Sequence, residues 1–317
     1  MPYLKYLMAC IAARFHRNMW IRLKSYVCLM GYKKTRYSKI NQCFFQSLAI
    51  VIYSLLFSMS ADALPPKHRI DFASAYTQID VGDWQTLNAA YSYTVHNPFT
   101  SLDRSSVTSG LATRVLRREF PGVAPTDLSL QVPLYLQLEQ FGLECWGEWS
   151  PQPSFVPEYS LLLSPSWRFA QLKSAIHFTY RFAQYTNAKA HVYTPGLSWN
   201  DPSLGWRAGI FMYITQPEFG EVFYTPQLRL ERYFTYFWRS ELWVTYGYET
   251  LNDRFVDPAR QAPQLSFYWQ IKHLFNDYSG LNLGFSWVKF LAPNEQIAQE
   301  RFNRDRLEFS LRSFFRF

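Results

Sequence analysis

From residue 67 onward, apolar and polar side chains alternate along the chain in runs of about ten residues. The clearest run places Leu128, Leu130, Val132, Leu134, Leu136 and Leu138 on one face. Ser129, Gln131, Pro133, Tyr135 and Gln137 fall on the other. Leu265, Phe267, Trp269 and Ile271 repeat the pattern against Ser266, Tyr268, Gln270 and Lys272. A period of two belongs to strands, whose successive side chains point to opposite faces, and it excludes helix for these segments. The last run, Arg306 to Phe317, sets Leu307, Phe309, Leu311, Phe315 and Phe317, with Ser313 the one lapse, against Arg306, Glu308, Ser310, Arg312, Phe314 and Arg316. A closing strand with an aromatic carboxy-terminal residue is the mark of outer-membrane β-barrels.

The pattern predicts fourteen strands, at 69–78, 85–96, 107–120, 127–138, 141–149, 158–167, 171–183, 189–199, 205–215, 220–233, 239–250, 264–273, 281–290 and 305–317. The expected fold is all-β, an antiparallel transmembrane up-and-down barrel of about fourteen strands, with twelve as the alternative. An even number brings both ends of the chain to the periplasmic side. Compact turns are expected at Asn200–Ser203 and Asn276–Gly280, and longer outer connections at Ser150–Pro157, Leu251–Ala262 and Ala292–Arg304.

Composition strengthens the membrane reading. Aromatic residues make up 19% of the chain, with 11 Trp, 22 Tyr and 27 Phe, yet mean hydropathy is only −0.20. A helical membrane protein carries long apolar blocks. A barrel hides its lipid face in alternation and gathers aromatics in interfacial girdles.

Charge changes the picture only at the amino-terminal end. Net charge is +8, but nine of the 32 Lys and Arg and one of the 24 Asp and Glu lie in residues 1–63. Residues 64–317 carry 23 of each and are neutral, so no global field draws nucleic acid. Residues 1–63 read as a leader. Lys33, Lys34, Arg36 and Lys39 form a basic region, Phe44 to Met59 an apolar one, and Ala61-Asp62-Ala63 a small-x-small cleavage site. The sequence thus predicts a start at Met30, cleavage near Ala63, and one barrel domain over 64–317. Of the four cysteines only Cys145 lies beyond that cleavage, which leaves no disulfide and no cysteine metal site in the mature chain.

With apolar residues on lipid, the intervening positions face the lumen. They include Arg114, Arg118, Arg181, Arg207, Arg229, Arg239, Arg306 and Arg312, with Glu139, Glu231, Glu241, Glu249 and Glu308. The candidate site residues among them are Arg181, Arg207, Arg229, Arg239, Glu231 and Glu241. A surplus of arginine suits an anionic solute, because guanidinium pairs with carboxylate and phosphate through two parallel hydrogen bonds. The competing reading is a paired network in which Arg229 and Glu231 face Arg239 and Glu241 across adjacent strands and fill the barrel.

A barrel hydrolase acting on lipid needs a histidine and a hydroxyl two residues apart on the lipid-facing side. Only His177 has such a partner, Thr179, and both alternate with Ile176, Phe178 and Tyr180, so they point inward. No phosphate loop, His-x-x-x-His pair or acidic calcium loop occurs. No catalytic residue, cofactor or metal is expected.

Tyr180-Arg181-Phe182-x-x-Tyr185, followed by Val192 and Pro195-Gly196-Leu197, resembles the YaiO family of outer-membrane barrels over about residues 69–317. Pro153, Phe155 and Pro157 sit where that family has a Pro/Phe-containing loop, and the terminal Phe317 fits as well. The resemblance implies location and fold and brings no catalytic residues. The expected protein is a monomeric, non-enzymatic outer-membrane barrel, either a structural surface protein or a narrow pore with an arginine-rich lumen. The alternatives are a barrel enzyme acting on envelope lipid or glycan, and an outer-membrane partner in glycan secretion. Its expected partners are outer-membrane lipids and, through Phe317, the β-barrel assembly machinery.

Overall fold

The computed structural model describes residues 67–79, 82–96, 105–119, 122–186, 188–201, 203–218, 221–247, 263–291 and 305–317. The leader, Glu249 and the connections predicted at Leu251–Ala262 and Ala292–Arg304 lie outside the described residues.

Each alternating run forms a strand. In chain order these are β1 (His68–Ile79), β2 (Gly82–His96), β3 (Ser105–Glu119), β4 (Thr126–Leu138) and β5 (Phe141–Trp149). Then come β6 (Tyr159–Phe169), β7 (Ser174–Tyr185), β8 (Ala188–Asp201), β9 (Trp206–Pro217) and β10 (Phe223–Tyr233). The wall ends with β11 (Trp238–Gly247), β12 (Gln264–Asn276), β13 (Ser279–Phe290) and β14 (Arg306–Arg316). Every strand pairs antiparallel with its neighbours in sequence, and β1 pairs with β14, so the sheet closes as a fourteen-strand barrel. Closure includes both β1 and β2, which removes the twelve-strand alternative. A closed sheet satisfies every ladder hydrogen bond within the wall, the condition for backbone in contact with hydrocarbon. The seam ends where the Phe317 amide donates to the His68 carbonyl and the His68 amide to the Phe317 carbonyl, both at 2.9 Å.

The outer face carries the apolar set. Leu161, Leu163, Ile210, Leu228 and Leu283 are exposed in the middle of their strands. Exposed Trp167, Trp206 and Trp238 flank them on the side of the chain termini, and Trp149, Tyr159, Tyr224 and Tyr246 on the opposite side. An aliphatic band between two aromatic girdles is the surface a bilayer requires. Strands of 9 to 15 residues are long enough to cross it. Cys145 is a free thiol paired across the sheet with outward Leu134 and Leu163.

Two turns fall differently from their predicted places. Asn200 and Asp201 extend β8, so the first reversal lies later in the chain, with Gly205 at a φ of 65° just before β9. Asn276, Ser279 and Gly280 likewise belong to strands, so Asp277 and Tyr278 alone make that turn. Glu139 is not a lumen residue: it sits in the β4–β5 turn with a φ of 34°, because the chain must reverse before its side chain reaches the wall.

Candidate functional site

Inside the barrel, polar and charged side chains gather on β9 to β12 near the end that carries both termini. Arg207 projects from β9, Arg229 and Glu231 from β10, Arg239 and Glu241 from β11, and Lys272 from β12. The register sets Glu231 opposite both Arg207 and Glu241. Like charges directly opposed repel, and the two carboxylates turn to different cations. Glu231 meets Arg239 at 3.4 Å and Arg207 at 4.0 Å. Glu241 pairs with Lys272 and accepts from the Gln270 amide and, at 2.6 Å, from the Trp243 indole N–H.

The expected cross-strand network therefore forms in part: Arg239 takes Glu231, while Arg229 takes neither glutamate. Among the described residues the Arg229 guanidinium donates to the Gln227 side-chain carbonyl and, at 2.9 Å, to the Tyr213 hydroxyl. It lies 4.3 Å from the centre of the Phe211 ring and 4.6 Å from that of Trp243, a cation held by aromatic faces. Phe211 reaches this position because two glycines give it room. A Cβ on Gly196 would stand 2.2 Å from its ring, and one on Gly209 2.8 Å. Arg181 stands apart, on β7, with its guanidinium 5.3 Å from the Trp146 ring of β5.

The same lumen holds two further ion-pair groups. Asp71 is bound by Arg69 at 2.7 Å and by Arg312 at 2.9 Å. Arg114 meets Glu148 at 2.7 Å, and Glu148 also accepts from Gln131 and Ser160. Across these groups the carboxylates are the covered partners. Side-chain exposure is 1% for Glu148, 10% for Glu231, 12% for Asp71 and 14% for Glu241. It is 52% for Arg312, 46% for Arg207, 40% for Arg239 and 33% for Arg69. Arg114 and Lys272, at 19% and 17%, are covered like the acids. Short acidic side chains stay against the wall, whereas long arginines carry their charge into open space.

At the other end, charge is used differently. Asp127, at the start of β4, accepts from the backbone amides of Ser154, Phe155 and Val156 at 2.8, 2.9 and 3.2 Å. This draws the β5–β6 connection, residues 150–158, over the inner wall. Phe155 lies 4.5 Å from the guanidinium of Arg118, itself 1% exposed. Arg306 lies 5.2 Å from the Trp84 ring, which also faces Arg118 at 5.1 Å. Beside this mouth Ala183, Tyr185, Ala190 and Val192 form a small buried apolar cluster with Tyr213 against it.

Sequence reading found the charged residues and missed the partners that fix them. Asp127, Phe211 and Trp243 were not among the candidate lumen residues. Their signal is parity along each strand: Phe211 shares the inward phase of Arg207, Trp243 that of Glu241, and Asp127 that of Ser129 and Gln131. His177 does face inward, but its Nε2 lies 2.8 Å from Ser198 Oγ, while the Thr179 hydroxyl is 2.6 Å from that of Ser164. Among the described residues, no three His, Cys, Asp or Glu side chains come together as a metal set.

Neither family models nor curated proteins give a match to this chain. Solved structures of bacterial outer-membrane barrels do resemble it in fold. A bacterial polysaccharide outer membrane secretin aligns over 80% of this chain and 100% of its own, with a TM-score of 0.48 and 11% identity. The Acinetobacter baumannii outer membrane protein Omp33 aligns over 81% and 100%, with a TM-score of 0.44 and 10% identity. The KdgM porin aligns over 76% and 97%, with a TM-score of 0.39 and 7% identity. At these identities and TM-scores the likeness carries no conclusion of its own; the closed fourteen-strand sheet and its girdled apolar exterior make the chain a membrane-spanning β-barrel of the outer-membrane type.

Proposed function

We propose that the protein is a narrow, non-enzymatic passage through a bacterial outer membrane that prefers anions. One observation carries this reading: in the lumen, four arginines of the ion-pair groups are 33–52% exposed while their carboxylate partners are only 10–12% exposed. A passing solute meets guanidinium first, since in these groups two arginines share each carboxylate. A narrow channel of low-dielectric wall focuses that field, so an exposed cation acts on ions that a covered carboxylate does not reach equally. The reading includes delivery by the 1–63 leader, docking of the Phe317 strand by the assembly machinery, and kinship with the YaiO family.

Purified protein in planar bilayers tests it. Reversal potentials in a salt gradient are expected to show anion preference, and neutralising Arg207 and Arg239 together to lower it. A correctly folded, heat-modifiable protein without conductance would overturn the passage. A closed scaffold is the second reading, favoured by the inward fold of residues 150–158 onto Asp127.

A further inference from the structure

Between β8 and β11 the inner wall forms a hollow of about 90 Å³, open to the lumen on one side and lined by Ser198, Arg207, Phe211, Arg229, Glu231 and Glu241. That is room for several water molecules, or for one small oxyanion in their place. The lining carries two cations, Arg207 and Arg229, and two anions, Glu231 and Glu241, but Arg239 and Lys272 reach the two carboxylates from beside the cavity and engage them there. Glu231 is shared between Arg207 and Arg239, with the Arg207 contact stretched to 4.0 Å. Glu241 is engaged by Lys272, Gln270 and Trp243. Arg229 has only neutral hydrogen-bond acceptors among the described residues, Gln227 and Tyr213. Its guanidinium is held in place by Phe211 and Trp243, so little freedom remains to be lost when a ligand binds. Arg207, with a half-exposed side chain, stands on the same cavity from the neighbouring strand.

We propose that this cavity is a binding subsite for a single oxyanion group of a small solute, a carboxylate or a phosphate, held between Arg207 and Arg229. Guanidinium offers paired donors to either group, and the Ser198 hydroxyl adds a neutral one. The inference deepens the passage reading and rests on it for the route by which the anion arrives. Binding itself does not require conduction.

Calorimetric titration of the full-length protein, purified from membranes in a zwitterionic detergent, with inorganic phosphate and separately with acetate, tests the subsite. Saturable binding of at least one probe is expected. Phosphate alone marks a phosphoryl-bearing solute, acetate alone a carboxylic one, and both the shared oxyanion chemistry. Arg229→Gln is expected to weaken binding about tenfold, as loss of one charged hydrogen-bond pair does. Glu241→Gln, which removes an opposing charge, is expected to tighten it several-fold. A merely structural cluster gives the opposite sign for that second variant, and heat-modifiable mobility on gels confirms that each variant is folded. No heat with either probe, or wild-type affinity in folded Arg229→Gln, overturns the subsite. Binding in a barrel that does not conduct would refute the passage and leave the subsite standing. Anion-selective conduction without binding would do the reverse.

Discussion

The two ends of the lumen use the same residue types for opposite purposes. At the mouth Arg118 and Asp127 are 1% and 2% exposed, and they hold Phe155 and three backbone amides in place. In the wall of β9 to β11, Arg207 and Arg239 rest on Glu231 with 46% and 40% of their side chains open. A charge removed from water must be matched by neighbours fixed around it, so at the mouth it shapes the chain. A charge left half in water spends little on its partner and keeps most of its field for solutes. Exposure, more than residue identity, separates the two roles.

The largest effect should fall on both regions at once. Deleting Phe317, or replacing it with Asp, is expected to leave little heat-modifiable protein in the outer membrane. It removes the paired backbone contacts and the ring stacked 5.3 Å from His68 at the seam, and hydrocarbon tolerates no open sheet edge. Normal membrane insertion of either variant would refute this.

Asp127→Ala breaks the mouth alone. Three amides lose their acceptor, at a cost of about 2–4 kcal/mol. The urea midpoint should fall, and a protease added from outside should cut within 150–158. An uncut connection would mean that Phe155 on Arg118 suffices to hold it.

Glu231→Ala applies the same operation to the other region and should cost less, about 1–2 kcal/mol, because the arginines it strands are already partly hydrated. Equal destabilisation by the Glu231 and Asp127 variants would erase the distinction drawn between the two ends. The smallest effect on stability belongs to Arg207→Gln, within about 0.5 kcal/mol, accompanied by a measurable loss of anion preference in the reversal potential. A large stability loss without change in selectivity would reassign Arg207 to the scaffold.

Phe211 and Asp127 show how far the sequence reached. Both lie in strands that alternation located to within a few residues, and the parity of each places it on the inner face. Nothing local says that Phe211 is accepted there by Gly196 and Gly209, one on the neighbouring strand and one on its own. Nor does anything local say that Asp127 receives amides from 27 to 29 residues away. The inward placement of Arg181, Arg207, Arg229 and Arg239 was legible for the same reason, while the separation of Arg181 from the other three was not.

By itself, then, the sequence determined where the strands run, which of their faces is apolar and the alternation of the carboxy-terminal strand, while barrel closure decided fourteen strands over twelve. Each of the first three is written in a period of two residues, and that period needs only the geometry of one extended chain. The tertiary structure alone decided that Glu231 faces Glu241, that Arg229 rests on aromatic rings, and that Lys272 takes the Glu241 carboxylate. Those pairings follow from the register between strands, which is fixed by turn lengths and barrel closure around the whole wall, and a shift of one position would turn every lumen side chain toward lipid.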